Sequence, residues 1–129
     1  DLSSWMQRVM SRFNYRHRKD HPGSGHLWQG RFKSIPIQED KHLFRVIRYV
    51  ERNPLRGGLV EQSEDWKWSS LRWTSGPGDS RWLTEPPVQW PADWIDIVNQ
   101  PDNKAELAAI RVRVESGKPY GEAGWSAAE

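Results

Sequence analysis

Cysteine is absent from the 129 residues, so neither a disulfide framework nor a thiolate metal site is available. No apolar run approaches the length of a membrane span, and the N-terminus carries no signal-peptide pattern. No membrane partner is expected, and the chain reads as a soluble intracellular protein. Internal repeats and low-complexity tracts are also absent. A metal-ligand spacing is missing too: His17, His21 and His26 lie close together and His42 further on, without a firm zinc pattern. Polar loop and helix-end histidines are the simpler account.

What is present is an uneven charge. Residues 1–60 hold 12 Lys/Arg against 5 Asp/Glu, a balance of +7, and the remainder carries −5. A basic half of this kind, interleaved with aromatics, points to a polyanionic partner. The nine tryptophans are read mostly as packing residues. The length suits one domain's worth of chain with a modest core.

The central stretch is residues 39–60, EDKHLFRVIRYVERNPLRGGLV. Asp40 is placed to cap a helix, and Leu43, Val46, Ile47 and Val50 recur on one side of it. His42, Arg45, Tyr49, Arg52 and Asn53 fall on another side, a combination of base, hydroxyl and amide suited to a phosphate. Pro54 disfavours helical geometry at Asn53, so the helix is expected to stop near Arg52. Asn53-Pro54 reads as the cap and first residue of a short turn that Gly57-Gly58 ends.

Before this stretch, Asp1 to about Lys19 predicts an amphipathic helix with an apolar stripe of Leu2, Trp5, Met6, Val9, Met10 and Phe13. The chain opens into it with no preceding cap. Arg8, Arg12, Tyr15 and Lys19 line its flank, most simply as a solvated face. DHPGSG, residues 20–25, is a loop. Residues 26–37 (HLWQGRFKSIPI) alternate like an edge strand with Gln29, Arg31 and Lys33 on one face. Those cations either track a sugar-phosphate backbone or guard the edge against aggregation. Beyond the centre, Trp66 and Trp68 are expected to pack over the core. Residues from about Ser80 to Pro101 support no element assignment. Asp102 to Ser116 predicts a helix with Leu107, Ile110 and Val114 on one side and Gly117 as its stop.

Tyr49 carries the most chemistry. A phenol is a weak nucleophile at neutral pH and needs nearby cations to favour its phenolate, a role open to Arg45 and Arg52. Asn53, one turn on, can orient a group or offer its amide oxygen to a hard metal ion. On the residues alone, an ordinary helix tyrosine at a core boundary is the simpler account.

RYVERNPLRGGLV, preceded by GHLWQGRFKSIPIQED and followed by DWKWSSL, resembles the REP-associated tyrosine transposases, members of the single-tyrosine HUH transposases. The resemblance runs from Asp1 to about Trp125. It implies an enzyme that cuts and joins single-stranded or hairpin DNA by transesterification, through a 5′-phosphotyrosine intermediate. Tyr49 matches the nucleophile and Asn53 the polar residue of the metal site. Arg31 and Lys33 match the basic strand, and Arg56 lies in the Asn-Pro-Leu-Arg motif. With Arg45 and Arg52, these cations are the expected DNA contacts. Gly117 to Gly121 resembles the family's Gly-x-Pro-aromatic-Gly turn.

The implied fold is α+β: a partial ferredoxin-like antiparallel sheet with packed helices over 1–75, then a Trp/Pro-rich extension over 76–129 with a helix at about 102–116. The implied cofactor is a divalent metal, Mg or Mn, held by a His-x-His pair that this chain lacks. The chain therefore reads as a fragment without the first strands and the metal histidines, short of the family's basic tail, and not itself binding the metal. Weak or no cleavage with some DNA binding is expected of it, in the cytoplasm on nucleoid DNA. The alternatives are a non-catalytic nucleic-acid-binding module and, less favoured, a Trp-rich protein-interaction domain.

Overall fold

The computed structural model describes residues 1–23, 25–28, 30–39, 41–75, 83 and 87–125, and for 73–75 the backbone alone. Asp40 and Gln29 therefore lie outside the described residues, and the boundary expected at 75/76 borders on others that do. The chain forms two compact units, Asp1–Ser34 and Ile35–Glu129. No helix among the described residues is long and apolar enough to cross a membrane.

The first unit is built on α1 (Leu2–Asp20). Contrary to the expectation of no cap, Asp1 itself caps the helix: one carboxylate oxygen accepts from the Ser3 amide and the other from the Ser4 hydroxyl, both at 2.9 Å. His17, Arg18 and Lys19 occupy the last turn, where positive charge suits the helix dipole. The Arg18 guanidinium then ties the following loop by donating to the Gly25 carbonyl at 2.9 Å. The Phe13 and Trp28 rings meet with centroids 5.5 Å apart. The predicted apolar stripe is present, but no residue of α1 is buried.

The expected sheet is not there. Among the described residues there is no strand, and a single parallel bridge joins Ile37 to Tyr120. The Tyr120 amide donates to the Pro36 carbonyl at 2.9 Å, and the Gln38 amide to the Tyr120 carbonyl at 3.0 Å. The alternation over 26–37 is real, but alternation fixes only side-chain faces. A strand also needs a neighbour for its backbone donors and acceptors, and among the described residues no second strand lies beside this segment. The partial ferredoxin-like antiparallel sheet is thus replaced by a helical arrangement.

The second unit contains α2 (Lys41–Glu51), α3 (Asn53–Arg56), a 3₁₀ turn at Ser63–Asp65, α4 (Ser70–Ser75), α5 (Trp94–Asn99) and α6 (Lys104–Ser116). Its core is Leu71, Trp94 and Val98, with Phe44, Ile47 and Trp90 packed against them. The Phe44, Trp90 and Trp94 rings lie 4.9 to 6.1 Å apart. The inward face of α2 is therefore Phe44, Ile47 and Glu51, and Val50 of the predicted stripe is 59% exposed. Glu51 is buried because Trp94 Nε1 and the Ser70 hydroxyl donate to its two oxygens at 2.8 and 2.7 Å. Trp68, expected to pack, is instead 73% exposed beneath the Lys67 ammonium.

The ends of α6 follow its sequence. The Asn103 side chain caps it by accepting from Ala105 N at 3.0 Å, and Gly117 closes it in the left-handed conformation at φ 67°. Beyond it, Tyr120 is buried edge-on against the buried His42. His42 thus packs against Tyr120 and does not line the crevice beside Tyr49.

Candidate functional site

The site grows from the junction of α2 and α3. Pro54 has no N–H and sits in the first turn of α3, where no donor is needed. The cap falls on Arg52, and Asn53 is already helical. The Arg52 amide donates to the Arg48 carbonyl and the Arg56 amide to the Arg52 carbonyl, each at 2.9 Å. Helical spacing therefore survives the proline, and Arg48, Arg52 and Arg56 project from one side.

They converge on Asp102. Arg56 Nε lies 2.9 Å from Asp102 Oδ2, Arg52 Nε 3.3 Å from the same oxygen, and Arg48 Nη1 3.7 Å from Oδ1. The Arg56 contact is two-pronged, with Nη2 at 3.4 Å from Oδ1. Arg52 Nε lacks hydrogen-bond alignment, so its contact is a charge pair. The remaining donors reach the carbonyl end of α5. Arg48 donates to Ile97 at 2.7 Å and to Gln100 at 2.6 Å; Arg52 donates to Val98 at 2.9 Å and Asn99 at 2.7 Å. Such terminal carbonyls have no partner inside their helix, and cations suit that end of its dipole. Burial pushes the Asp102 carboxyl up. The Arg56 hydrogen bonds and the charges of Arg56, Arg52 and Arg48 outweigh that and hold it below its ordinary value.

Tyr49 and Asn53 meet through the same arginine. The Arg56 guanidinium carbon lies 4.6 Å from the centroid of the Tyr49 ring. Its Nη1 donates to Asn53 Oδ1 at 3.2 Å and its Nη2 to the Tyr49 carbonyl at 3.4 Å. The crevice that Tyr49 lines with Arg45, Asp102, Glu106 and Ile110 holds about 10 Å³, room for about one water.

The predicted site residues thus divide. Tyr49, Asn53, Arg52 and Arg56 come together. Arg45 lies one turn before Tyr49 and pairs with Glu106 at 3.0 Å. Arg31 and Lys33 belong to the first unit, both exposed. Arg31 lines a groove of about 760 Å³ with Arg18, His26, Leu27, Trp28 and Phe32, and no described carboxylate borders it. Part of the basic half is met within the chain, since Lys41, Arg45, Arg48, Arg52 and Arg56 pair with Glu122, Glu106 and Asp102.

The donors at Tyr49 do not fit a divalent ion. Among the described residues no three His, Cys, Asp or Glu side chains cluster. The amide oxygen of Asn53 already accepts from a guanidinium, whose charge opposes a cation there. Arg48 and Asp102 were not among the predicted site residues. The four-residue spacing of Arg48, Arg52 and Arg56 and the opposite charges of the two halves were signals for such a cluster.

Over 45 residues, 35% of its length, the chain is 40% identical to a Haemophilus influenzae protein named as a candidate REP-associated tyrosine transposase. The matched stretch spans 26% of that relative. No protein-family model and no solved structure matches the chain.

Proposed function

We propose that the chain belongs to a single-tyrosine DNA transposase of the REP-associated type. The 45-residue similarity to a protein of that name carries the reading. The meeting of Tyr49, Asn53 and Arg56 supports it. In this reading the Tyr49 hydroxyl attacks a phosphodiester of single-stranded or hairpin DNA. The Tyr49 oxygen bonds to phosphorus, the bond to the 3′ oxygen breaks, and the phenolic proton is replaced by one on that 3′ oxygen. Attack by another 3′ hydroxyl reverses the sequence and rejoins the strands. Arg45 stands near enough along α2 to hold a phosphate once released from Glu106. The groove beside Arg31 offers the first unit's cations and Trp28 to a strand. Mg or Mn would polarise the phosphate in the family reaction. The donors at Tyr49 do not fit that ion, so no step here is routed through it.

The same misfit favours a second reading, a nucleic-acid-binding module without chemistry. A DNA oligonucleotide with a sulfur replacing one bridging 3′ oxygen separates the two, because the thiolate leaves without metal or acid assistance. The transposase reading expects slow covalent capture that Tyr49→Phe abolishes while binding persists. Binding with no capture by the wild type leaves the module.

A further inference from the structure

We propose that Asp102 is a positioning residue for Tyr49 and Asn53, acting through Arg56. The catalytic sense of this rests on Tyr49 as the nucleophile; the linkage itself does not. Arg56 makes a two-pronged contact to Asp102, at 2.9 and 3.4 Å. A planar guanidinium gripped along one edge by a carboxylate has its remaining donors and its face fixed in direction. The fixed donors are those that reach Asn53 Oδ1 at 3.2 Å and the Tyr49 carbonyl at 3.4 Å. The fixed face is the one over the Tyr49 ring, 4.6 Å from its centroid.

Asp102 does not depend on Arg56 for its own place. Arg48 and Arg52 approach it too, and both are anchored on the carbonyls that end α5. The line of support therefore runs from the α5 end, through Arg48 and Arg52, to Asp102, to Arg56, and then to Tyr49 and Asn53. Without the carboxylate, Arg56 regains its rotamers, and the tyrosine loses the cation on its ring. Arg56→Lys keeps the charge and loses the fork, so it tests the geometry separately from the electrostatics.

The test uses the full chain with ¹³C-labelled tyrosine rings. Tyr15, Tyr49 and Tyr120 give three sets of signals, and Tyr49→Phe identifies the one that matters. Asp102→Asn and Arg56→Lys are each expected to shift and broaden the Tyr49 signal. Tyr15 is expected to hold still, and circular dichroism to report a retained fold. Asp102→Glu, which keeps a carboxylate, is expected to restore part of the wild-type signal. A Tyr49 signal unmoved in folded Asp102→Asn and folded Arg56→Lys overturns the linkage. Capture of the sulfur-bridged oligonucleotide then tests the catalytic sense. Asp102→Asn is expected to slow capture at saturating DNA about tenfold with half-saturation unchanged. Unchanged capture overturns the positioning role. A wild type that binds but captures nothing overturns the nucleophile reading instead, and the tyrosine spectrum still decides the linkage.

Discussion

The indole N–H of Trp94 donates to a carboxylate oxygen of Glu51 across 2.8 Å, and both side chains are buried. The second oxygen of Glu51 takes the Ser70 hydroxyl. A charged group inside the core of this unit is tolerable only because both oxygens are met. Glu51→Ala leaves the buried Trp94 indole and the part-buried Ser70 hydroxyl without their acceptor and is expected to cost about 3 kcal/mol. Glu51→Gln keeps one acceptor oxygen and is expected to cost about 1 kcal/mol. Urea unfolding followed by tryptophan fluorescence measures both, and a negligible loss in Glu51→Ala would remove Glu51 from the account of the core.

Acid is expected to act through Asp102. Its carboxyl is held below its ordinary value in the folded chain, so the folded value lies under the unfolded one, about 3.9. The stabilisation is complete above the unfolded value and disappears as pH falls through the folded one. Asp102→Asn is expected to cost about 2 kcal/mol at neutral pH, by leaving three guanidinium groups without their counter-charge. The same variant is expected to lose less stability than the wild type below about pH 4. Thermal melts across pH 2 to 7 compare the two slopes.

Cations in the two units are expected to respond differently to substitution. Arg31 is exposed on its groove, so Arg31→Ala is expected to weaken single-stranded DNA binding and lower the salt slope by about 0.7. Arg52 is occupied by Asp102 and the carbonyls of α5, so Arg52→Ala is expected to lower the melting temperature with the slope unchanged. Fluorescence anisotropy over a salt series reads the slopes. A fall in slope with Arg52→Ala would show that Arg52 leaves its internal partners for phosphate.

Gly121 has no room for a side chain. A Cβ there would lie 2.6 Å from the Trp125 ring and 2.7 Å from Gln38 Oε1, the oxygen that accepts from the Glu122 amide. Gly121→Ala is expected to cost about 1–3 kcal/mol and to expose Trp125, seen as a red shift in emission. An unshifted spectrum would mean that the turn adapts.

The parts of this fold that could be read in advance are those fixed within a few residues. Gly117 ends α6 and Gly58 closes the turn after α3, both at φ 67°, and Pro54 sits in the first turn of α3, each through local backbone chemistry. The parts that could not are fixed by distant partners. Periodicity puts Val50 and Ile47 on one side of α2, whereas in the fold Val50 is exposed and it takes Trp94 and Ser70 to turn Glu51 inward. The strand pattern of 26–37 was legible, and the lack of a partner strand was not. At the site, Tyr49 and Asn53 lie four residues apart and were found together. Asp102 lies 46 residues from Arg56, and only folding brings them into contact.

That separation has a mechanical meaning. Arg48, Arg52 and Arg56 join residues that lie 46 to 53 positions apart, closing the intervening chain as a crosslink would. A protease site engineered at the exposed Gly58–Leu59 turn would open that loop and leave the arginine and Asp102 side chains unaltered. The nicked halves are expected to co-elute on a sizing column at neutral pH and to separate in acid or in the Asp102→Asn background.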